Sequence, residues 1–312
     1  MELLAPAGNF EKFLTAIHFG ADAVYMAGGK YGLRAFAGNF DENEMRKAVE
    51  IAHEKGRKVY VTLNIIARDE DFEELPTYLQ FLQEIKVDAV IVADVGMVRF
   101  IRKNAPNLDV HVSTQANIIN SQSALLMADM GVKRVILARE LTLEQVANIR
   151  KSLPKEVEIE VFVHGAMCMA YSGRCLLSNY LTGRDANRGD CAQSCRWSYS
   201  LVEEKRPGQY MDITETDKGT YILNANDMCM APYLDVMSDV GIDSIKIEGR
   251  ARRPFYVATA TREYYNALHN IKANETNLKL AFNRDYTAGY FDGNGNIISS
   301  YHNHIGINVG KV

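Results

Sequence analysis

The stretch KVDAVIVADVG, residues 86–96, recurs in plan at three other places, and that recurrence decides the fold. GADAVYMAG (20–28), GVKRVILARE (131–140) and GIDSIKIEGR (241–250) share its form. Each has a Gly or short turn, a charged residue, then an apolar run of strand length ending in small or polar residues. ELLAPAG (2–8), KVYVTLNI (58–65), DVHVSTQA (109–116) and EIEVFVHG (158–165) alternate with them, which makes eight candidate strands. The runs are apolar on both faces and rich in Val and Ile, as in a parallel sheet covered on both sides.

Helical patterns fill the gaps. DENEMRKAVEIAHEKG (41–56) has Asp41 as N-cap, Glu44 three residues on and Gly56 as its stop. In LTLEQVANIRKSLP (141–154), Thr142 and Gln145 form a capping box and Pro154 lies past the end. FEELPTYLQFLQEI, SQSALLMADMG and PFYVATATREYYNAL also read as helices. Eight β/α units predict an α/β protein, a (β/α)8 TIM-like barrel over residues 1–272. The rival is an open doubly wound sheet, but no GxGxxG follows the first strand.

One unit departs from the plan. DMCMAPYLDVMSDVG (227–241) reads as a helix, which leaves residues 166–226 as a Cys-rich insertion after strand 7. It leaves the strand's C-terminal end, where barrels carry their chemistry. Residues 273–312 read as a C-terminal extension. Its last run, INVGKV, looks like the start of a strand, either of a truncated β-barrel domain or of a strand packed on the barrel.

Hydrophobic residues make up 47% of the 312 and charged residues 24%, an ordinary globular balance. The net charge of −4 argues against broad coating of a polyanion, though a local basic face can still act. There is no apolar run of about 18 residues, so no membrane span is expected. The N-terminus lacks the basic start and apolar core of a signal peptide. The expectation is a cytoplasmic protein whose thiols stay reduced.

Of five cysteines, Cys168, Cys175, Cys191 and Cys195 fall close together in the insertion, spaced C-x6-C-x15-C-x3-C. Four thiolates suit tetrahedral zinc or an iron–sulfur cluster. Only Cys191 and Cys195 have a zinc-like spacing, and the whole matches neither ferredoxin pattern. Iron–sulfur, zinc and free or catalytic thiols all stay open on this ground. Cys229 reads as a core residue. HExxH and G-x-S-x-G are absent, which leaves peptidase chemistry only a Cys168–His164 pair.

EVFVHGAMCMAYSGRCLLS (160–178) resembles the defining motif of the collagenase-like peptidase family U32. NYLTGRDANRGDCAQSCRW (179–197), LVEEKRPG (201–208), IDSIKIEGRAR (242–252) and LLAPAGN at the start resemble it too. The peptidase name is historical. The resemblance implies oxygen-independent hydroxylation: of the tRNA wobble uridine to 5-hydroxyuridine with prephenate as oxygen-source metabolite, of a ribosomal RNA cytidine, or, by paired members, of a quinone precursor. GRDANRGDCAQSCRW with VEEKRPG is most similar to the tRNA branch. The resemblance also implies a 4Fe-4S cluster on Cys168, Cys175, Cys191 and Cys195, with zinc as the alternative, and a protein partner from the same family. Members of the tRNA branch commonly carry a β-barrel domain after the first, and the chain is expected to stop where that would begin.

Polar residues that follow the apolar runs are the other candidates: Asn64, Asp94, Gln115, Asn117, Arg139, Glu140, His164 and Glu248. Barrel strand ends converge on one pocket. His164 and Glu140 are the expected acid–base residues. Asn64, Gln115, Arg139, Arg174, Arg188, Glu248 and Arg250 are expected to bind substrate. Cations in 174–206 and 246–253 (Arg184, Arg196, Lys205, Arg206, Lys246, Arg252 and Arg253 among them) would lie on the rim, to hold phosphates or the carboxylates of prephenate. Glu160 and Phe162 are expected to pack or to make a buried hydrogen bond.

Overall fold

The computed structural model describes residues 1–33, 38–168, 170–197, 200–202, 210–212, 225–281 and 283–293. In chain order the strands are β1 (Glu2–Pro6), β2 (Ala23–Met26), β3 (Lys58–Leu63), β4 (Ala89–Val92), β5 (Asp109–Val112), β6 (Arg134–Ile136), β7 (Glu158–Ala166), β8 (Ser200–Val202), β9 (Tyr210–Asp212), β10 (Asp227–Cys229), β11 (Ser244–Ile247) and β12 (Tyr286–Thr287). The helices are α1 (Phe10–His18), α2 (Glu42–Glu54), α3 (Leu75–Glu84), α4 (Val95–Asn104), α5 (Ser121–Asp129), α6 (Leu143–Ser152), α7 (Leu177–Thr182), α8 (Leu234–Asp239), α9 (Pro254–Leu268) and α10 (Glu275–Leu280).

Strands β1 to β7 pair in parallel in sequence order, and β11 pairs in parallel with both β7 and β1. That closes an eight-stranded TIM barrel. Side chains on both faces of the eight barrel strands are mostly buried, which is why the runs are apolar throughout. One core lies between barrel and helices; a smaller one, with Leu4, Tyr25, Tyr60, Ile91 and Phe162, fills the inside. The capping boxes at Asp41–Glu44 and Thr142–Gln145 form as expected.

The interior floor is charged. Buried Arg134 pairs with Glu2 at 2.7 Å, Glu158 at 2.6 Å and Glu160 at 2.9 Å, and Tyr60 donates to Glu2 at 2.7 Å. Lys246 reaches the other oxygen of Glu160 at 2.9 Å. Each charge taken from water is thus matched, which such burial requires. Lys246 therefore belongs to the interior and not to the rim.

The 227–241 segment corrects the sequence reading. Asp227–Cys229 is a strand, paired antiparallel with the upper half of β7, with Cys229 opposite His164 and Asp227 opposite Ala166. A 3-10 turn at Ala231–Tyr233 then leads into α8. Pro232 in that turn cannot donate a backbone hydrogen bond, so it suits a start and not an interior. β12 adds to β10, and α10 packs on α9, so residues 275–281 and 283–287 of the extension lie on the barrel. The run INVGKV lies outside the described residues.

β7 also carries a bulge. Lys246 of β11 pairs with Phe162, but the next residue, Ile247, pairs with His164, so Val163 is the extra residue. A bulge reverses the facing of the residues beyond it. No helix among the described residues is long and apolar enough to cross a membrane.

Candidate functional site at the barrel mouth

A cavity of about 660 Å³ opens at the C-terminal ends of the strands, walled on one side by the insertion. Asn64, Gln115, Arg139, Glu140, Arg174, Glu248, Arg250 and all four clustered cysteines line it. The ends of β3, β5, β6 and β11 and the insertion after β7 thus bring together most of the residues picked out from sequence.

The strand-end groups are fixed by one another. Asn64 donates to Gln115 Oε1 at 2.9 Å and accepts from the Leu33 N–H at 3.2 Å. Arg139 donates to the Ala166 carbonyl at 2.8 Å, meets Glu248 at 3.3 Å and stacks 3.8 Å from the centre of the Phe162 ring. Its Nε is buried without a hydrogen-bond partner. Glu140 accepts from the Ser172 N–H at 2.5 Å and from the Ser172 hydroxyl, an anchor for the insertion that leaves its carboxylate committed. Buried Arg250 donates to Thr62 Oγ1 at 3.3 Å and to Asn39 at 2.7 Å. Arg174 is exposed and holds the Gln115 carbonyl at 2.8 Å.

Two expected site residues lie elsewhere. The bulge turns His164 away from the cavity, into a cage of Tyr256, Tyr264 and Tyr286 with ring centres 5.4 to 5.7 Å away. It is buried, its Nδ1 makes no hydrogen bond, and burial pulls its pKa down to about 4. A base in that setting has no route to a substrate in the cavity, so its expected acid–base role is not supported. Arg188 grips Asp71 with both Nη atoms instead of lining the cavity. Of the wider candidates, Asp94 caps α4 and Asn117 donates to the Tyr171 carbonyl at 3.0 Å. Arg184 pairs with Asp190 and Arg252 with Asp227, so these two expected rim charges are committed. Lys205 and Arg206 lie outside the described residues, as does the Arg196 side chain.

The cysteine wall is built by short polar knots. Asn187 holds the Cys175 backbone from both sides, accepting its N–H at 3.1 Å and donating to its carbonyl at 3.0 Å. Buried Ser178 accepts the Ala192 N–H at 3.0 Å and donates to the Arg184 carbonyl at 2.8 Å, which places the Cys191 loop beside α7. The Gln193 N–H points at Cys191 Sγ at 3.4 Å, and the Ala170 N–H serves Cys168. Burial pushes the Cys168 thiol up, against the pull of that N–H and of Arg139. Cys175 and Cys191 are near enough to add to the upward shift. Sulfur-only donors on one wall, served by N–H groups and flanked by Met167 and Leu176, fit the chemistry of an iron–sulfur or zinc site. The sulfurs are not drawn into a coordination sphere: among the described residues no three His, Cys, Asp or Glu side chains are gathered to hold a metal ion.

Sequence reasoning missed Tyr25 and Thr62 of the cavity floor and placed Lys246, the third floor residue, on the rim. The signal was there. Thr62 and Lys246 are polar residues inside apolar strands, where a polar group needs an interior partner.

The sequence profile of peptidase family U32 matches residues 8–300. The chain is 40% identical over 302 residues to tRNA hydroxylation protein P1 of Bacillus subtilis (strain 168), covering 94% of this chain and 71% of that one. It is 37% identical over 271 residues to the 23S rRNA 5-hydroxycytidine C2501 synthase of Escherichia coli (strain K12), covering 87% and 40%. A collagenase of Porphyromonas gingivalis (strain ATCC BAA-308 / W83) is 36% identical over 312 residues, covering 94% and 73%. A solved U32 peptidase structure superposes with a TM-score of 0.50 at 17% identity over 79% of this chain and 92% of that one, a likeness of fold.

Proposed function

The chain belongs to peptidase family U32, and from that premise we propose that it is an RNA-modifying enzyme that hydroxylates a tRNA uridine, with prephenate as oxygen-source metabolite. The observation that carries the reading is the wall of four cysteines, Cys168, Cys175, Cys191 and Cys195, on the same cavity as Arg139 and Arg250. The names of the bacterial relatives, a tRNA hydroxylation protein and an rRNA hydroxycytidine synthase, support the same class of substrate.

In this reading the four cysteines would hold a 4Fe-4S cluster, which supplies one-electron chemistry that side chains lack. The protein's own part is placement. Arg139, oriented by Ala166 and Glu248, turns its guanidinium charge toward an anionic group in the cavity, and Arg250 adds a second cation. Two arginines suit a dicarboxylate such as prephenate. Tyr171, Tyr180 and Trp197 expose large rings on the insertion, which also carries the exposed Arg174. Rings beside a cation are a surface on which unpaired bases stack.

The peptidase reading fares worse. With His164 caged behind β7, the Cys168–His164 pair that a thiol peptidase would use is not formed. The test pairs two measurements: iron and acid-labile sulfide after anaerobic purification, and nucleoside mass spectrometry of tRNA from a deletion strain that also lacks redundant pathways. Iron with sulfide, and loss of 5-hydroxyuridine, are expected. Zinc without iron, or unchanged 5-hydroxyuridine, would reject the reading. Proteolysis lost with Cys168→Ser but kept without Cys191 and Cys195 would restore the peptidase.

A further inference from the structure

The cavity floor holds a buried amine to which the hydroxylation reading gives no role. Lys246 is 3% exposed yet lines the cavity. Its Nζ lies 2.9 Å from Glu160 Oε1, 4.5 Å from the centre of the Tyr25 ring and 5.3 Å from that of Phe162. Arg139 stacks on that same Phe162 ring, so an amine and a guanidinium share one aromatic wall.

A purely structural ion pair would need both partners charged. Proton transfer inside this pair makes both partners neutral, and Arg134, which Glu160 shares with Glu2 and Glu158, still has two carboxylates to balance it. The lysine can therefore give its proton to Glu160 without leaving a bare carboxylate behind. Burial favours this, drawing the Lys246 pKa below the ordinary lysine value against the pull of Glu160. A desolvated lysine beside a carboxylate is the arrangement of an amine nucleophile.

We infer that Lys246 captures carbonyl compounds, forming an imine with a 2-oxo acid whose carboxylate is received by Arg139 or Arg250. Lys246 passes one proton to Glu160, and the neutral amine attacks the keto carbon. The carbinolamine oxygen takes up protons, one returned by Glu160 and one from the amine nitrogen, and leaves as water as the C=N bond forms. Nothing is oxidised or reduced, and no further reactant is needed. The inference shares Arg139 and Arg250 with the prephenate site of the hydroxylation reading, prephenate being itself a 2-oxo acid, but it requires neither RNA nor a cluster.

The test uses the full chain with pyruvate or phenylpyruvate, sodium cyanoborohydride and no RNA. Hydride reduces an imine to a stable amine, and peptide mapping locates it. The Lys246 peptide should gain the mass of the acid less one oxygen atom, with labelling roughly tenfold above any other lysine. Lys246→Met should abolish that adduct. Since this variant can also fail to fold, Glu160→Gln and Arg139→Ala are mapped beside it, and both should slow labelling of Lys246. Labelling spread evenly over surface lysines, or none at Lys246 in the unaltered chain, overturns the inference. RNA hydroxylation is read separately, so either idea can fail alone.

Discussion

Arg188 donates to both carboxylate oxygens of Asp71, at 2.8 and 3.0 Å, across 117 residues of chain. It also donates to the Ile66 carbonyl at 3.2 Å, and the Ile66 N–H donates to the Asn187 carbonyl at 3.1 Å. The cysteine wall is thereby tied to the loop after β3. The Arg188 hydrogen bonds hold the Asp71 carboxyl below its ordinary value. Asp71→Asn should cost about 1 kcal/mol at neutral pH. A lowered carboxylate pKa contributes fully above the unfolded value of about 4 and is lost as pH falls through the folded one. Urea midpoints of variant and parent should therefore differ at pH 7 and converge in strong acid.

His164 gives a pH dependence from a different cause. Its folded pKa is about 4, and an unfolded histidine titrates near about 6.5. As pH falls below the unfolded value, the unfolded chain binds the proton first. Stability should drop by about 3 kcal/mol between those two values. Buried His111, also held neutral, adds in the same direction. His164→Phe should flatten the slope of urea stability against pH and leave the His111 part.

Gly165→Ala should destabilise the mouth. Gly165 has φ +101°, and a Cβ there would stand 2.6 Å from the Glu248 carbonyl oxygen and 2.7 Å from the Tyr256 hydroxyl. Neither the left-handed backbone nor the backbone oxygen yields cheaply. A loss of more than about 2 kcal/mol is expected in thermal or urea melts.

Serine at any one of Cys168, Cys175, Cys191 or Cys195 should lower iron bound per chain in anaerobic preparations. Cys229→Ala is the contrast. Cys229 is buried on β10, 3.9 Å from the Tyr264 hydroxyl. Its loss should cost about 1 kcal/mol by melting and leave metal content unchanged.

The barrel was legible because its signal is local. Eight apolar runs with turns between them needed no long-range knowledge, and Asp41 and Thr142 announced their helices within four residues. Asp227–Cys229 was misread as helix because its strand character comes from β7, far away in sequence. His164 shares strand parity with Glu160 and Phe162, so alternation alone points it inward. Only the pairing of β11 with β7 reveals the skipped Val163. The four cysteines stood out by clustering. Arg188 looked like a substrate ligand because nothing near it in sequence named Asp71 as its partner.

The antiparallel pairing of β10 with β7 has one more consequence. The chain leaves the barrel at Ala166 and returns at Asp227, directly opposite. Everything between is a cassette with its two ends already joined by the scaffold. Closing a longer loop between fixed ends costs little, about 0.6 kcal/mol for each doubling. Such a cassette can change in length at little loop-closure cost, provided the ties of Arg188 to Asp71 and of Ser172 to Glu140 are kept. One scaffold could thus change what its mouth accepts by swapping a single contiguous stretch of chain.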